Sequence, residues 1–213
     1  MLASPGARLR LAGIIAGVLF IAGYAIVAVI PGGGETNAAD FAKYYGPDGG
    51  GRRGTSLILL IALVASCHLM VWFFAELRTR IGDGALTRYS YTMTVVGAVL
   101  VTAGGGILFG PTGVKINDAS AAYIGDNVAV AIAQAGLFVM LVGGMYAFAT
   151  GVFFFGLAAR RAAALPSWLA IGGMVVGVLL IGSYIWVPGL LLPLWVIVTA
   201  IAAGSSPSEP LAA

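Results

Sequence analysis

The chain has 213 residues, of which 60% are hydrophobic and 9% are charged, with a formal net charge of +3. Soluble domains average about 45–50% apolar and about 25% charged residues, so this composition excludes a water-soluble globular protein. The basic residues are scattered between apolar runs, which argues against a nucleic-acid-binding surface. We therefore expect an integral membrane protein built from helices, because a helix satisfies its own backbone groups in lipid.

Charged residues divide the chain into five long uncharged runs. The first three, between residues 10 and 35, 53 and 76, and 88 and 115, hold 24, 22 and 26 residues and suit one span each. The fourth holds 33 residues, between 126 and 160, and is too short for two spans and a turn. The fifth holds 47 residues, between 161 and 209, and must fold back, most naturally at Pro188 and Gly189.

The predicted fold class is therefore all-α, a polytopic bundle that forms one transmembrane domain over residues 1–213. Its six spans are expected near 11–30, 55–77, 91–110, 127–158, 168–187 and 190–204, with a disordered C-terminal tail over 205–213. The sixth span is short and carries Pro193, so a re-entrant or interfacial helix is the alternative there. Seven arginines would share a side with both termini, against four Lys or Arg on the other side. The positive-inside rule then predicts a plasma-membrane protein with both termini in the cytoplasm.

The first outer loop, residues 31–54, carries helical signals in its middle. Phe41, Tyr44 and Tyr45 are spaced at i, i+3 and i+4, and Gly46 with the proline after it can end a helix. One interpretation is a short amphipathic helix on the outer leaflet. The other is a mobile polar loop with a few aromatic side chains, because isolated helices of this length are marginal.

The first and fifth predicted spans align without gaps at an offset of 160 residues. Tyr24 then coincides with Tyr184, and several glycines and valines coincide as well. The third span fits halfway, at an offset of 80, and the Phe-Phe pair at 73–74 resembles the pair at 154–155 at an offset of 81. We interpret this as three helical hairpins in parallel repetition. Chance matching between spans rich in Ala, Gly, Val and Leu is the alternative.

Glycines at four-residue spacing allow two helix backbones to approach closely in lipid. They pack either inside the bundle or between subunits. If they pack between subunits, a leucine at the first such pair is expected to disrupt assembly with a partner. The candidate helix-packing glycines are Gly13 with Gly17, Gly106 with Gly110, and Gly173 with Gly177.

Few strongly polar side chains fall within the predicted spans. His68 is the only histidine and lies in the second span, either as a neutral side chain bonded to a neighbouring helix or as a titrating, substrate-contacting group. Gln134 in the fourth span completes a candidate polar site if the two helices face each other. Glu76 and Arg80, at i and i+4, predict an ion pair at the membrane interface.

No catalytic residue, cofactor site or metal site is predicted. The single cysteine, Cys67, allows no disulfide within the chain, and one histidine cannot supply both ligands of a bis-histidine haem. The sequence has no HExxH, P-loop or G-x-S-x-G pattern. An intramembrane Ser–His pair of Ser183 and His68 is the one enzymatic alternative.

Four short motifs resemble those of a family of bacterial, especially actinobacterial, multi-pass membrane proteins that carry a domain of unknown function. They are L-A-G-I-I-A-G after a short basic N-terminus, A-K-Y-Y-G before the second span, F-F-A-E-L-R-T-R at its exit, and L-P-S-W-L-A opening the last hairpin. The resemblance covers most of the chain. It implies a six-helix bundle in the plasma membrane and brings no activity or site residues.

Three functions are compatible with these observations. The first is a non-enzymatic subunit or scaffold of a cell-envelope complex, supported by the lack of catalytic groups and by the small-residue helix faces. The second is a small carrier for a lipid-like or small-molecule substrate, supported by the repeat, the short sixth helix and His68. The third is an intramembrane enzyme. Expected partners are membrane lipid and either another membrane protein or further copies of this chain, and not nucleic acid.

Overall fold

All regular structure in the described part of the chain is helical. The structure is a computed structural model, and it describes residues 5–31, 38–117, 125–182 and 187–204. The predicted tail over 205–213 and the candidate nucleophile Ser183 lie outside the described residues. The helices are α1 (Pro5–Tyr24), α2 (Ala38–Tyr45), α3 (Gly50–Ile81), α4 (Ala85–Asn117), α5 (Asp126–Leu137), α6 (Met145–Arg161), α7 (Ser167–Leu180) and α8 (Leu191–Gly204). The predicted all-helical fold class is confirmed for these residues.

Short helical segments join these elements. A one-turn helix, Ile26–Val29, continues α1, and a π-helical segment, Phe138–Gly144, connects α5 to α6 without a break. Single 3₁₀ turns cover Pro47–Gly49 and Val187–Leu190. The predicted reversal at Pro188 and Gly189 therefore lies in the second 3₁₀ turn, directly before α8.

Four helical stretches are long and apolar enough to cross a membrane. They run Gly6–Val29, Pro47–Ile81, Ala85–Asn117 and Asn127–Arg161, and each exceeds the roughly 20 residues that a span needs. They cover the first four predicted spans, apart from residue 30 of the first, and extend past them at charged ends. The reason is that adding a residue to an existing helix gains a hydrogen bond without a new nucleation step.

The last two helices are shorter than a full span. α7 and α8 have 14 residues each, about 21 Å at 1.5 Å per residue, whereas the hydrocarbon core is about 30 Å thick. α7 nevertheless packs antiparallel on α6, and α8 packs antiparallel on α1. The structure thus establishes four helices of spanning length and two shorter apolar helices beside them.

The six helices other than α2 and α5 follow one another around a closed ring. α1 packs on α3, α3 on α4, α4 on the α5–α6 stretch and α6 on α7, and α8 closes the ring between α7 and α1. Aromatic rings fill the centre: Phe74 stacks on Phe155 with centroids 5.0 Å apart and lies 6.2 Å from Trp195. Phe20 and Phe148 meet edge to face at 6.4 Å. The centre is therefore packed core in the described part of the chain.

The two ends of the bundle differ in character. The end that holds the α3–α4 and α6–α7 junctions carries most of the arginines, and we call it the arginine-rich end. There, Nη1 of Arg80 donates a hydrogen bond of 2.6 Å to the carbonyl oxygen of Ala203, which ties α3 to α8. The opposite end, which we call the α2 end, carries α2 and the first turn of α3.

The aromatic face of α2 is turned into the protein. Phe41, Tyr44 and Tyr45 are all buried, and Phe41 stacks on Tyr45 with centroids 6.1 Å apart. Of the two interpretations of this segment, the structure shows the short helix, with its aromatic face packed on the bundle. A short helix gains more from contact with α3 and α4 than from lipid, because its polar side chains find partners there.

The π-helical segment Phe138–Gly144 packs closely against α4. Gly104 of α4 lies against the backbone of Met140, and Gly144 lies against Val101. A Cβ atom at either glycine would overlap its neighbour. These glycines fix the spacing of the two helices.

Candidate functional site

His68 lies on the outer surface of α3 and not in the bundle interior. Its side chain is exposed, and its Nδ1 is 2.8 Å from the carbonyl oxygen of Val64, one turn earlier in the same helix. A bond to a neighbouring helix, one of the two interpretations of His68, is not formed with any described residue. In the neutral imidazole one ring nitrogen donates and the other accepts. Since Nδ1 donates to the Val64 carbonyl, Nε2 is an acceptor.

A groove between α3 and α4 contains His68. It has a volume of about 420 Å³ and opens on the outer face of the bundle. The Cys67 thiol is buried, with the Thr102 and Ser66 side chains within hydrogen-bonding reach. His68 is the strongest polar group that the groove presents. The lining residues are Cys67, His68, Val71, Val95, Ala98, Val99, Thr102 and Ala103.

Gln134 does not share this groove. It is exposed on α5, and nearby Gly136 packs on Leu108 of α4, whereas the groove reaches α4 only over residues 95–103. In the ring, α4 lies between α3 and the α5–α6 stretch, so the helices of His68 and Gln134 do not face each other. The candidate polar site of His68 with Gln134 is therefore wrong.

The predicted ion pair of Glu76 and Arg80 is also wrong. Nε1 of Trp72 donates to Oε1 of Glu76 at 3.3 Å, on the outer face of α3. Arg80 instead reaches the carbonyl oxygen at the end of α8. Spacing at i and i+4 brings the two Cβ atoms near each other, but tertiary contacts decided which partner each long side chain takes.

The ion pair at this end of the bundle is local to the α3–α4 turn. Arg78 pairs with Asp83, and its guanidinium carbon lies 5.5 Å from the centroid of the Tyr91 ring. Gly82 ends α3 with a φ of +99°, a conformation that favours glycine, and so brings Asp83 back toward the helix. Both charged side chains are partly exposed, so the pair contributes little stability.

The six candidate packing glycines divide into two groups. Four lie in contacts inside the bundle: Gly13, Gly17 and Gly173 against α8, and Gly177 against α6. Gly106 and Gly110 are exposed on α4, and no described atom lies within 4 Å of a Cβ built on either of them. The first group locks the bundle, and the second forms an open small-residue face.

A polar cluster at the α2 end was not predicted from the sequence. The hydroxyl of Tyr44 lies 2.7 Å from Oγ of Ser56 and 3.1 Å from Oγ1 of Thr112. Arg53 is only 8% exposed, and its Nη1 donates to the carbonyl oxygens of Tyr44 at 2.7 Å and Gly46 at 3.0 Å. These bonds connect α2 to both α3 and α4. The available signal was the aromatic spacing in α2 followed closely by two arginines.

Burial keeps the tyrosines of this cluster protonated. Desolvation raises the pKa of Tyr45 to about 12, opposed by a hydrogen bond to Thr112. Burial also raises the pKa of Tyr44, although its hydrogen bonds to Ser56 and Thr112 act in the other direction. Neither phenol is therefore set up as a base near neutral pH, and the cluster works as a structural connection.

The described ranges hold no cluster of metal-binding side chains. Among those residues, no three His, Cys, Asp or Glu side chains are grouped so that they could hold a metal ion. The enzymatic alternative required Ser183, whose position is not described, so the pairing with His68 stays a prediction.

Comparisons with protein-family models, with curated proteins and with solved structures find no match to this chain. The fold itself defines its class: an all-helical protein whose four long apolar helices indicate a membrane protein. The family resemblance of its four motifs stays a prediction.

Proposed function

We propose that this chain is a non-enzymatic subunit or scaffold of a cell-envelope complex in the plasma membrane. The observation that carries the proposal is the open face of α4 at Gly106 and Gly110. Helices in lipid associate through close packing, since lipid tails are as apolar as the side chains, and two glycines at this spacing allow the closest approach.

The bundle itself illustrates how such a face is used. Gly13 and Gly17 on α1 are covered by α8, with Ala200 and Ile197 seated against them. Gly106 and Gly110 repeat that spacing on α4, but no described residue covers their face. A partner helix crossing α4 there would fill the same kind of contact from outside, either from another membrane protein or from a second copy of this chain.

The packed centre favours a scaffold over a carrier. A carrier that moves its substrate through the bundle needs an internal polar site near the membrane midplane. Here Phe74, Phe155 and Trp195 stack on one another between the described helices, and His68 faces outward.

Six spans with both termini in the cytoplasm complete this proposal. α7 and α8 run antiparallel to their neighbours, and the Arg80 bond holds the end of α8 level with the end of α3. Turns at both ends of α7 and the 3₁₀ turn before α8 add length beyond the 14 helical residues of each helix. The arginines that cluster at one end then mark the cytoplasmic side by the positive-inside rule: Arg8, Arg10, Arg78, Arg80, Arg88, Arg160 and Arg161.

Two sets of contacts support the repeat of three hairpins. Gly17 on α1 and Gly177 on α7 coincide at an offset of 160, and each lies on the first helix of its hairpin. Each packs on the last helix of the neighbouring hairpin in the ring: Gly17 on α8 and Gly177 on α6. Phe74 and Phe155, which coincide at an offset of 81, stack on each other at the bundle centre. Gly97 on α4 is the equivalent position at an offset of 80. It packs on α6, the second helix of its own hairpin, so the middle hairpin departs from this pattern.

The mass of the native complex tests the proposal. The protein is extracted at native expression in a lipid-preserving polymer, and the mass and composition of the particle are measured by native mass spectrometry. We expect a stoichiometric protein partner or a second copy. Gly106→Leu and Gly110→Leu should each weaken that association by about tenfold, because a leucine overpacks a contact shaped for glycine.

Two control substitutions separate docking from folding. Ala131→Leu makes a similar increase in size at an exposed position on α5 and should leave the complex intact. Gly13→Leu should instead lower the yield of folded protein, because this glycine faces Ala200 and Phe73 inside the bundle. A wild-type particle containing one lone copy, or an unchanged complex in both α4 variants, would overturn the proposal.

A further inference from the structure

The groove between α3 and α4 is a ligand-sized space on the surface that faces lipid. Its volume of about 420 Å³ falls within the range of about 300–1,000 Å³ that small-molecule sites occupy. Val95 and Val99 form much of the α4 wall, and Val71 lies on the α3 wall. Such walls suit a ring or a chain that dissolves in the membrane.

One hydrogen-bonding atom in this groove is left over. Nδ1 of His68 is committed to the Val64 carbonyl, so Nε2 keeps its lone pair, and no described residue donates a hydrogen bond to it. An acceptor without a donor is expensive in hydrocarbon because water is not there to replace the partner. A molecule in the groove that donates a hydrogen bond would satisfy it.

The depth of His68 restricts the chemistry of that donor. Along α3 it lies eight residues from Glu76 and fifteen from Arg53, or about 12 Å and about 22 Å from these charged levels. A phosphate head group stays at the charged level, and the hydroxyl of diacylglycerol stays near the glycerol backbone at the interface. A hydroxyl attached directly to a membrane-dissolved ring reaches this depth without carrying charge.

We infer that the α3–α4 groove binds a prenylated hydroquinone, with a ring hydroxyl donating to Nε2 of His68 and the isoprenoid tail lying along the outer face of the bundle. The reduced form binds more tightly than the quinone, because quinone oxygens only accept hydrogen bonds and meet the lone pair of Nε2. This site rests on α3 crossing the membrane and does not depend on a protein partner at Gly106 and Gly110.

The single histidine makes the binding directly observable. The full chain, with its histidine labelled with ¹⁵N and held in phosphatidylcholine nanodiscs, is titrated with decylubiquinol, decylubiquinone and diacylglycerol. We expect the quinol to shift the Nε2 resonance of His68 and to bind about three- to tenfold more tightly than the quinone, the effect of one hydrogen bond. Equal affinity for the two redox forms, or an equal shift with diacylglycerol, would overturn the assignment.

Two substitutions locate the site independently of the histidine signal. His68→Phe keeps a ring but removes the acceptor, so calorimetry should show weaker quinol binding and no preference for the reduced form. Val99→Trp should fill the groove and abolish binding, whereas Val128→Trp, at another exposed valine on α5, should leave binding unchanged. Wild-type affinity in both groove variants would place the ligand elsewhere and refute the inference. The particle mass, measured on the same samples, reports the partner proposal separately.

Discussion

Replacing Arg53 by methionine is expected to release α2 from the bundle while the long helices stay folded. Methionine keeps the apolar stem of the side chain but removes the guanidinium donors to the carbonyl oxygens of Tyr44 and Gly46. Loss of a hydrogen bond from a charged donor costs about 1.5–3 kcal/mol. Both bonds come from the same nitrogen, so we expect a total of about 3 kcal/mol, which corresponds to roughly a hundredfold change in the opening equilibrium of α2.

Hydrogen exchange followed by mass spectrometry measures this opening directly. In nanodiscs, the peptide that covers residues 38–46 should exchange about a hundredfold faster in Arg53→Met than in the wild type. Peptides from the middle of α3 and α4 should exchange at unchanged rates, because their backbone bonds lie within the helices. The change is therefore confined to the segment that Arg53 holds.

Arg52→Met is the matched control for the loss of charge. Arg52 lies next to Arg53 on α3, and its guanidinium carbon is 5.6 Å from the centroid of the Tyr44 ring. A cation–π contact at such a site contributes about 0.5–1 kcal/mol, so exchange in α2 should rise only about two- to fivefold. If the two variants accelerate exchange equally, or if Arg53→Met has no effect, the two carbonyl bonds do not hold α2 in place.

Two further predictions concern pH and helix spacing. The folded protein holds the proton of Tyr45 up to a pKa of about 12, while an unfolded tyrosine loses it near its usual value of 10.0. The stabilisation is therefore complete below pH 10 and falls as the pH rises toward 12, by up to about 3 kcal/mol. Urea titrations between pH 9 and 12 should show this loss, and Tyr45→Phe should reduce its slope; an identical pH profile in the variant would rule out Tyr45 as the cause. Gly136→Ala should destabilise the protein by about 1–3 kcal/mol, because its Cβ would meet the backbone of Leu108 and push α5 away from α4. Gly110→Ala places its Cβ in open space and should be neutral or slightly stabilising. Thermal unfolding of both variants measures the difference, and equal midpoints would contradict the close approach at Gly136.

Much of the secondary structure could be predicted because charge and length act locally. A run of 22 to 33 uncharged residues has one stable form in lipid, so the first four long helices followed from the positions of residues such as Arg53 and Glu76. The face of α2 that carries Phe41, Tyr44 and Tyr45 was visible in their spacing for the same reason. The surface that this face contacts was not, since its partners lie on α3 and on distant Thr112.

The candidate site depended on which face of each helix points into the bundle, and the sequence did not predict those faces. In a soluble protein an apolar stripe marks the inner face of a helix. In lipid the outer and inner faces are equally apolar, so no stripe indicated that His68 and Gln134 point outward or that Glu76 and Arg80 take separate partners. The glycine spacing did not distinguish inner from outer faces either, because Gly13 and Gly17 on α1 have the same spacing as Gly106 and Gly110 on α4.

The sequence alone determined that this chain is helical, apolar and divided by charge into spans, because those properties follow from residues close together in the chain. Only the tertiary structure decided that Gly13 is covered, that Gly106 is open and that Arg53 is buried against α2. Each of these outcomes depends on contact between helices far apart in sequence. Those contacts depend on how small and large side chains fit together. In lipid this fit leaves no mark in the pattern of hydrophobicity, because the faces that contact lipid are as apolar as those that contact other helices.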